Sequence, residues 1–236
     1  MSISVEKSLP EEFSTLLRGE AESLQGWLHG GDARRLAREL AVIVIGSGCY
    51  GAAMGWWRSP EQALFVALKF PLIILLTTLG NALLNAMLAP LLGLNITLRQ
   101  SLQAVLMSFT IAAAILGAFS PLIAFLVWNS PAMTVGSGPN VTYNLFLLSH
   151  VAVIALAGVA SNVRLFQLLT RLGGSRPIAR RVLCAWLAGG LLLGSQLSWI
   201  FRPFIGSPAL PVEFIRQAAF HGNFFEAVWH SFRQIF

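Results

Sequence analysis

The sequence predicts an all-α fold, a polytopic transmembrane helical bundle of about five membrane-spanning helices with amphipathic interfacial helices at both termini. Three observations carry this. The 236-residue chain is 56% hydrophobic and 11% charged, whereas soluble domains carry about 25% charged residues, and its mean hydropathy is +0.69. Five apolar runs, each long enough for the ~30 Å of bilayer hydrocarbon, are separated by capping and turn signals. All ten acidic residues lie between Glu6 and Glu61 or at Glu213 and Glu226, so residues 62–212 hold no carboxylate. The predicted division is an N-terminal cytoplasmic amphipathic segment (1–31), a five-helix transmembrane domain (32–202) and a C-terminal amphipathic interfacial helix (203–236).

The N-terminal stretch is not expected to be a signal peptide, because Met1 to His29 contains acidic residues and no uninterrupted apolar core. Ser8 and Glu11 suit a capping box around Pro10. Phe13, Leu16, Leu17, Leu24, Trp27 and Leu28 then recur at helical spacing, as in a helix lying on a membrane surface or packed on the protein's own loops. Gly30-Gly31 breaks that helix, Asp32 can cap the next, and Arg34, Arg35 and Arg38 precede the first apolar run, Leu40 to Trp57. Within it Ser47, Gly51 and Gly55 repeat every four residues as a small-residue packing face, and Trp56 and Trp57 mark the far interface.

The second crossing opens at Ser59-Pro60, where Ser59 caps, Pro60 fits the first turn and Gln62 can close a capping box. It runs to about Pro90, roughly 45 Å of helix at 1.5 Å per residue. It carries Lys69, about 14 Å along the axis from Pro60, then Pro71, and the amides Asn81 and Asn85 on one face beside Gly80. Thr97 and Gln100 form a further capping box for the third crossing, Leu98 to Trp128, with a kink expected at Ser120-Pro121. The uncharged, Pro- and Gly-rich stretch Asn129 to Thr142 is predicted to be an extracytoplasmic loop. The fourth crossing covers Tyr143 to Leu169 with His150, Asn162 and Arg164, and Gly173-Gly174 ends it. Ser175 caps the fifth, Ile178 to Phe201, where Gly190 and Gly194 stand in GxxxG spacing near Ser195, Gln196 and Ser198. Arg202-Pro203 stops that helix. A tail follows in which Phe225, Trp229, Phe232 and Phe236 share one face, capped by Asn223 and Glu226.

The function classes narrow by chemistry. A carboxylate-free middle argues against proton relays and acidic cation pathways and against acidic Mg²⁺ sites. Cys49 and Cys184 lack a CxxC partner or a nearby histidine and are expected to be buried packing residues. No metal and no cofactor is predicted. Gly46-Ser47-Gly48 with His150 can be drawn as an intramembrane nucleophile and base, but no third orienting group accompanies them and the chain is not expected to be an enzyme. The candidate polar intramembrane cluster is Lys69, Asn81, Asn85, Asn162 and Gln196. These residues either line a positive cavity for anions or small neutral solutes or serve as interhelical glue worth about 0.6 kcal/mol per amide, with Lys69 snorkelling to the interface.

The pI of 10.4 and net charge of +6 are expected to report topology rather than nucleic acid, which is not a predicted partner. Arg34, Arg35, Arg38, Arg171, Arg176, Arg180 and Arg181 are candidate contacts for anionic lipids, clustered with Arg99 and Arg164 at one set of helix ends. The positive-inside rule then predicts a bacterial-type cytoplasmic membrane with the N-terminus inside and the C-terminus outside.

Five apolar segments, a cytoplasmic amino-terminal region, the Pro71-led Leu-rich second segment, and Leu98-Arg99-Gln100-Ser101 leading into a third segment with Ser108 resemble the Yip1-like membrane proteins over residues 40–200. The long cytosolic region and Asp-Leu-Tyr-Gly-Pro signature of the eukaryotic members are missing. The resemblance implies a non-catalytic bundle that binds partners or shapes membranes. The expected role is an oligomeric membrane scaffold or partner-binding protein, self-associating through the small-residue faces of the first and fifth crossings and able to bind a further protein. The alternative is an oligomeric channel for anions or small solutes.

Overall fold

In the computed structural model the described residues are 33–133, 141–206, 211–226 and 229. They contain five helices, α1 (Ala33–Trp56), α2 (Pro60–Leu91), α3 (Leu98–Trp128), α4 (Val141–Gly173) and α5 (Arg176–Phe201). All five are long and apolar enough to cross a membrane, and the chain is an integral membrane protein by this measure. The amino-terminal amphipathic stretch expected over residues 1–31, and Phe232 and Phe236 of the tail, lie outside the described residues.

The caps follow their sequence signals, with one exception. Ser59 accepts from the Gln62 N–H at 3.1 Å, Ser175 accepts from the Ile178 N–H at 3.5 Å, and Thr97 and Gln100 make both halves of their capping box. Gln62 does not turn back to complete a box with Ser59. Its amide instead leaves the helix to donate to the carbonyls of Pro203 and Phe204, at 2.9 and 3.1 Å. The expected kink at Ser120-Pro121 does not interrupt α3. Proline removes the donor that would meet the Gly117 carbonyl, and the Ser120 hydroxyl supplies one at 2.7 Å.

Packing closes α2, α3, α4 and α5 into a ring in which α2 meets α3 and α5, and α4 meets α3 and α5; α1 lies outside it against α2 and α3. The small residues of α1 make this possible. A Cβ on Gly51 would sit 2.6 Å from the Val66 carbonyl oxygen, on Gly55 2.6 Å from that of Gln62, and on Gly46 in overlap with that of Ala113. The Ser47, Gly51, Gly55 face is thus spent inside the chain. The α5 glycines meet α2 more loosely, Gly190 at the Asn81 amide and Gly194 at Thr77, and both are half-buried and line a cavity. It is the α1 face that is closed to a second copy.

Two further expectations change. Cys49 and Cys184 are free and exposed on the outer surface of the bundle, because the buried stripes of α1 and α5 fall on other faces of those helices. Trp57 does not sit at the surface as Trp56 does. It is buried, stacks on Phe146 at 4.4 Å between centroids and donates its indole N–H to the Pro131 carbonyl at 3.0 Å.

The glycine contacts give a direct test. Gly46→Ala forces a methyl into a backbone carbonyl and is expected to cost about 1–3 kcal/mol, seen as a lower melting temperature in a fixed detergent. Gly158→Ala, with nothing within 4 Å of the added carbon, should leave the midpoint unchanged or raise it.

Candidate functional site

The candidate residues do not form one cluster; they divide between a clamp and a set of cavities. Lys69 is fully buried. Its ammonium does not end in open space. It donates to the carbonyls of Glu213 at 3.3 Å and Pro203 at 3.5 Å and lies 5.2 Å from the centroid of the Phe214 ring. Gln62, seven residues earlier on the same face of α2, holds the Pro203 and Phe204 carbonyls. Phe65 and Phe70 from that helix meet Phe214 and Phe204 edge to face. Together they grip a non-helical segment that follows α5, whose carbonyls have lost helical partners and need donors where water is scarce.

Gln196 belongs to the same assembly. Its Oε1 accepts from the Phe224 N–H at 3.3 Å, and one turn away the Trp199 indole donates to the His221 carbonyl at 3.4 Å. The chain beyond α5 therefore crosses to α2 and then returns along α5, with helical residues resuming at Phe224, where Asn223 caps through the Glu226 N–H at 2.8 Å.

Asn81 and Asn162 face the ring interior. A cavity of about 330 Å³ is lined by Thr77 and Asn81 of α2, Ser108 of α3, Ser161 and Asn162 of α4 and Ser198 of α5 among apolar side chains. Asn162 donates to the Gly158 carbonyl of its own helix at 2.8 Å. Thr77 Oγ1, Asn81 Oδ1 and both amide atoms of Asn85 are buried without a hydrogen-bond partner among the described residues. The pairings of Thr77 with Gly194 and Asn81 with Gly190 set an antiparallel register for α2 and α5 that brings Trp186 opposite Asn85 one turn further. The Trp186 indole N–H is likewise buried and unpartnered.

Two more cavities adjoin this one and share its walls. Towards the end where α5 stops, about 600 Å³ is enclosed by Phe70, Ile73, Ile74, Ile154 and Ser198 in common with the ring cavity, together with Tyr143, His150, Arg202 and Arg216. Towards the opposite end, about 880 Å³ lies between α4 and α5, with Asn162 and Leu187 in common and Arg171 and Arg176 in its wall.

No protein-family model, curated protein or solved structure matches this chain. The chemistry of the site therefore rests on its own residues.

Ser47 and His150 are not paired as a nucleophile and base. Ser47 Oγ donates to the Ile43 carbonyl within α1, and His150 Nδ1 is hydrogen-bonded to the Tyr50 hydroxyl at 2.9 Å. The seven arginines expected to contact anionic lipids fall at one end of the bundle. There Arg35 pairs with Glu39 at 3.3 Å, while Arg171, Arg176, Arg180 and Arg181 are exposed around the α4–α5 turn.

Sequence reasoning did not single out Gln62, Arg202, Arg216 or the Tyr50–His150 pair as parts of a site. A signal existed for the first: Gln62 and Lys69 are seven apart, two polar donors on one face of an otherwise apolar helix. Proline and glycine at 203, 206, 208 and 211 also announced a non-helical stretch with carbonyls to satisfy.

Removing the Lys69 donor should loosen the segment without dissolving the bundle. Lys69→Met is expected to cost about 1–3 kcal/mol in local docking, read as faster hydrogen exchange and proteolysis over residues 203–214 with exchange in α1 and α3 unchanged. Gln62→Leu should have a similar effect, and the double variant less than the sum, because both hold the Pro203 carbonyl.

Proposed function

We propose that this integral membrane protein is non-enzymatic and works by binding, as a membrane scaffold that holds a partner or lipid in its cavities. The single observation that carries this is how the intramembrane polar groups are used. Lys69, Gln62 and Gln196 are tied to the chain's own backbone, and Thr77, Asn81, Ser108, Ser161, Asn162 and Ser198 line cavities with mostly apolar walls. Apolar cavities with a few polar groups suit an amphiphilic occupant. The lipid-exposed rim, including Leu147, Val151, Ile154 and Leu191, favours one arriving sideways from the bilayer. A Yip1-like affiliation fits the same reading.

A second reading is favoured by a specific feature. The three cavities adjoin in series, with arginines at both ends and no carboxylate between residues 62 and 212, as a route for anions or small solutes would be. Self-association remains part of either proposal, but through surfaces other than the glycine face of α1.

Topology follows from charge. Arg34, Arg35, Arg38, Arg99, Arg164, Arg171, Arg176, Arg180 and Arg181 gather at one set of helix ends and Arg58, Arg202 and Arg216 at the other, so the N-terminus is assigned to the cytoplasmic side of a bacterial-type membrane.

Two measurements test these readings. Purified protein in liposomes should pass chloride and small neutral solutes no faster than empty vesicles. Flux reduced by Asn81→Ala or Asn162→Ala would transfer the function to the second reading. Ser130→Cys in a Cys49→Ser, Cys184→Ser background should react with an impermeant maleimide from outside intact cells; labelling only after lysis reverses the orientation.

A further inference from the structure

The end of the bundle where α5 stops gathers Lys69, Arg202 and Arg216, none of them in an ion pair among the described residues, although Glu61, Glu213 and Glu226 belong to the same end. Arg202 ends α5, with its guanidinium 3.6 Å from the centroid of the Trp199 ring and one N–H donated to the Trp199 carbonyl. Arg216 makes no hydrogen bond or ion pair among the described residues. It stands near enough to act electrostatically on both Arg202 and Lys69. Burial first, and the Arg216 charge second, push the Arg202 guanidinium below its ordinary value. Three cations gathered here repel one another, and an anion between the two arginines relieves that repulsion.

The cavity beneath them has a second unsatisfied group. His150 is 3% exposed, forms part of the cavity wall, and its Nε2 has no partner. Its tautomer follows from the Tyr50 hydroxyl. If the phenol donates to Nδ1, a single group, the Nε2–H, is left over; if Nδ1–H donates to the phenol oxygen, both the phenol proton and the Nε2 lone pair are stranded. The first arrangement costs less, so His150 offers an N–H to the cavity. Below it the walls turn apolar through Ile73, Ile74, Val151 and Ile154 and continue into the ring cavity.

We propose that this cavity is a binding site for one anionic phospholipid from the surrounding bilayer, its phosphate held between Arg202 and Arg216, an ester carbonyl accepting from His150 Nε2–H, and an acyl chain lying along the apolar wall towards the ring cavity. Arginine forks suit phosphate oxygens. The apolar walls and exposed rim select a lipid over a free anion. The proposal rests on the binding reading above and names its ligand class.

Native mass spectrometry of delipidated protein, titrated with phosphatidylglycerol or phosphatidylcholine of the same chain length, reads the site directly. Expected is one phosphatidylglycerol per chain, held at least fivefold more tightly than phosphatidylcholine, with Arg216→Gln and Arg202→Gln each weakening it about five- to tenfold, the effect of losing one basic side chain from an anionic headgroup. His150→Phe should weaken both lipids alike, since it removes a donor to the ester. Arg99→Gln, an exposed arginine at the opposite end and outside the cavity walls, should leave the tightest site unchanged. Equal retention of the two lipids, an effect only from the Arg99 change, or competition by inorganic phosphate at equal concentration would each overturn the proposal. Should the arginine variants misfold, charge-preserving Arg216→Lys, with partial retention expected, keeps the comparison; full loss in a folded Arg216→Lys protein that still binds phosphatidylcholine also counts against it. Loss of lipid selectivity without solute flux removes only this ligand, whereas flux removes the binding reading itself.

Discussion

Unpaired backbone carbonyls in a place poor in water are the constraint on which the rest of this structure depends. Beyond Phe201 the chain stops being helical while still packed against helices, and its carbonyls at Pro203, Phe204 and Glu213 need donors. Gln62 and Lys69 supply them from α2. A buried lysine is expensive on its own; here its ammonium has two carbonyls and the faces of Phe65 and Phe214. The hydrogen bonds between the ammonium and the carbonyls reduce the burial cost of both, and the segment is fixed against α2 and α5 as a result.

That segment in turn shapes the cavities. Phe204 and Ile205 pack with Tyr50, Trp57 and Phe146, and the Gly206 carbonyl receives the Tyr143 hydroxyl at 3.4 Å. Gly206 has φ +94°, a conformation that L side chains rarely adopt, which lets the chain turn beside Arg58. Arg216 lies beside Arg202 at the end of α5. The cationic mouth therefore depends on a backbone clamp that involves neither of its arginines.

Close helix approach supplies the remaining order. In lipid, helix association relies on packing and on interhelical polar contacts rather than on hydrophobic burial. The glycine contacts of α1 with α2 and α3 and the Ser101 hydroxyl donated to the Ala82 carbonyl at 2.9 Å are of this kind, whereas Thr77, Asn81 and Asn85 leave buried polar atoms unpartnered among the described residues. Where α4 and α5 do not approach so closely, the cavities open.

The sequence by itself determined the five crossings, their caps and the gathering of arginines at one end, because these depend on local hydropathy, local hydrogen bonds and order along the chain. It also marked Lys69, Asn81, Asn162 and Gln196 as unusual, since a polar side chain in an apolar run stands out whatever it touches. Which partner each takes was decided only by tertiary structure. Ser47, Gly51 and Gly55 suit a second copy as well as α2, Gln62 suits a capping box as well as a distant carbonyl, and Cys49 suits a core as well as a lipid-facing surface. Helical periodicity tells which residues share a face but not what that face meets. The clamp joins residues more than 130 positions apart, so it exists only once α5 has returned alongside α2.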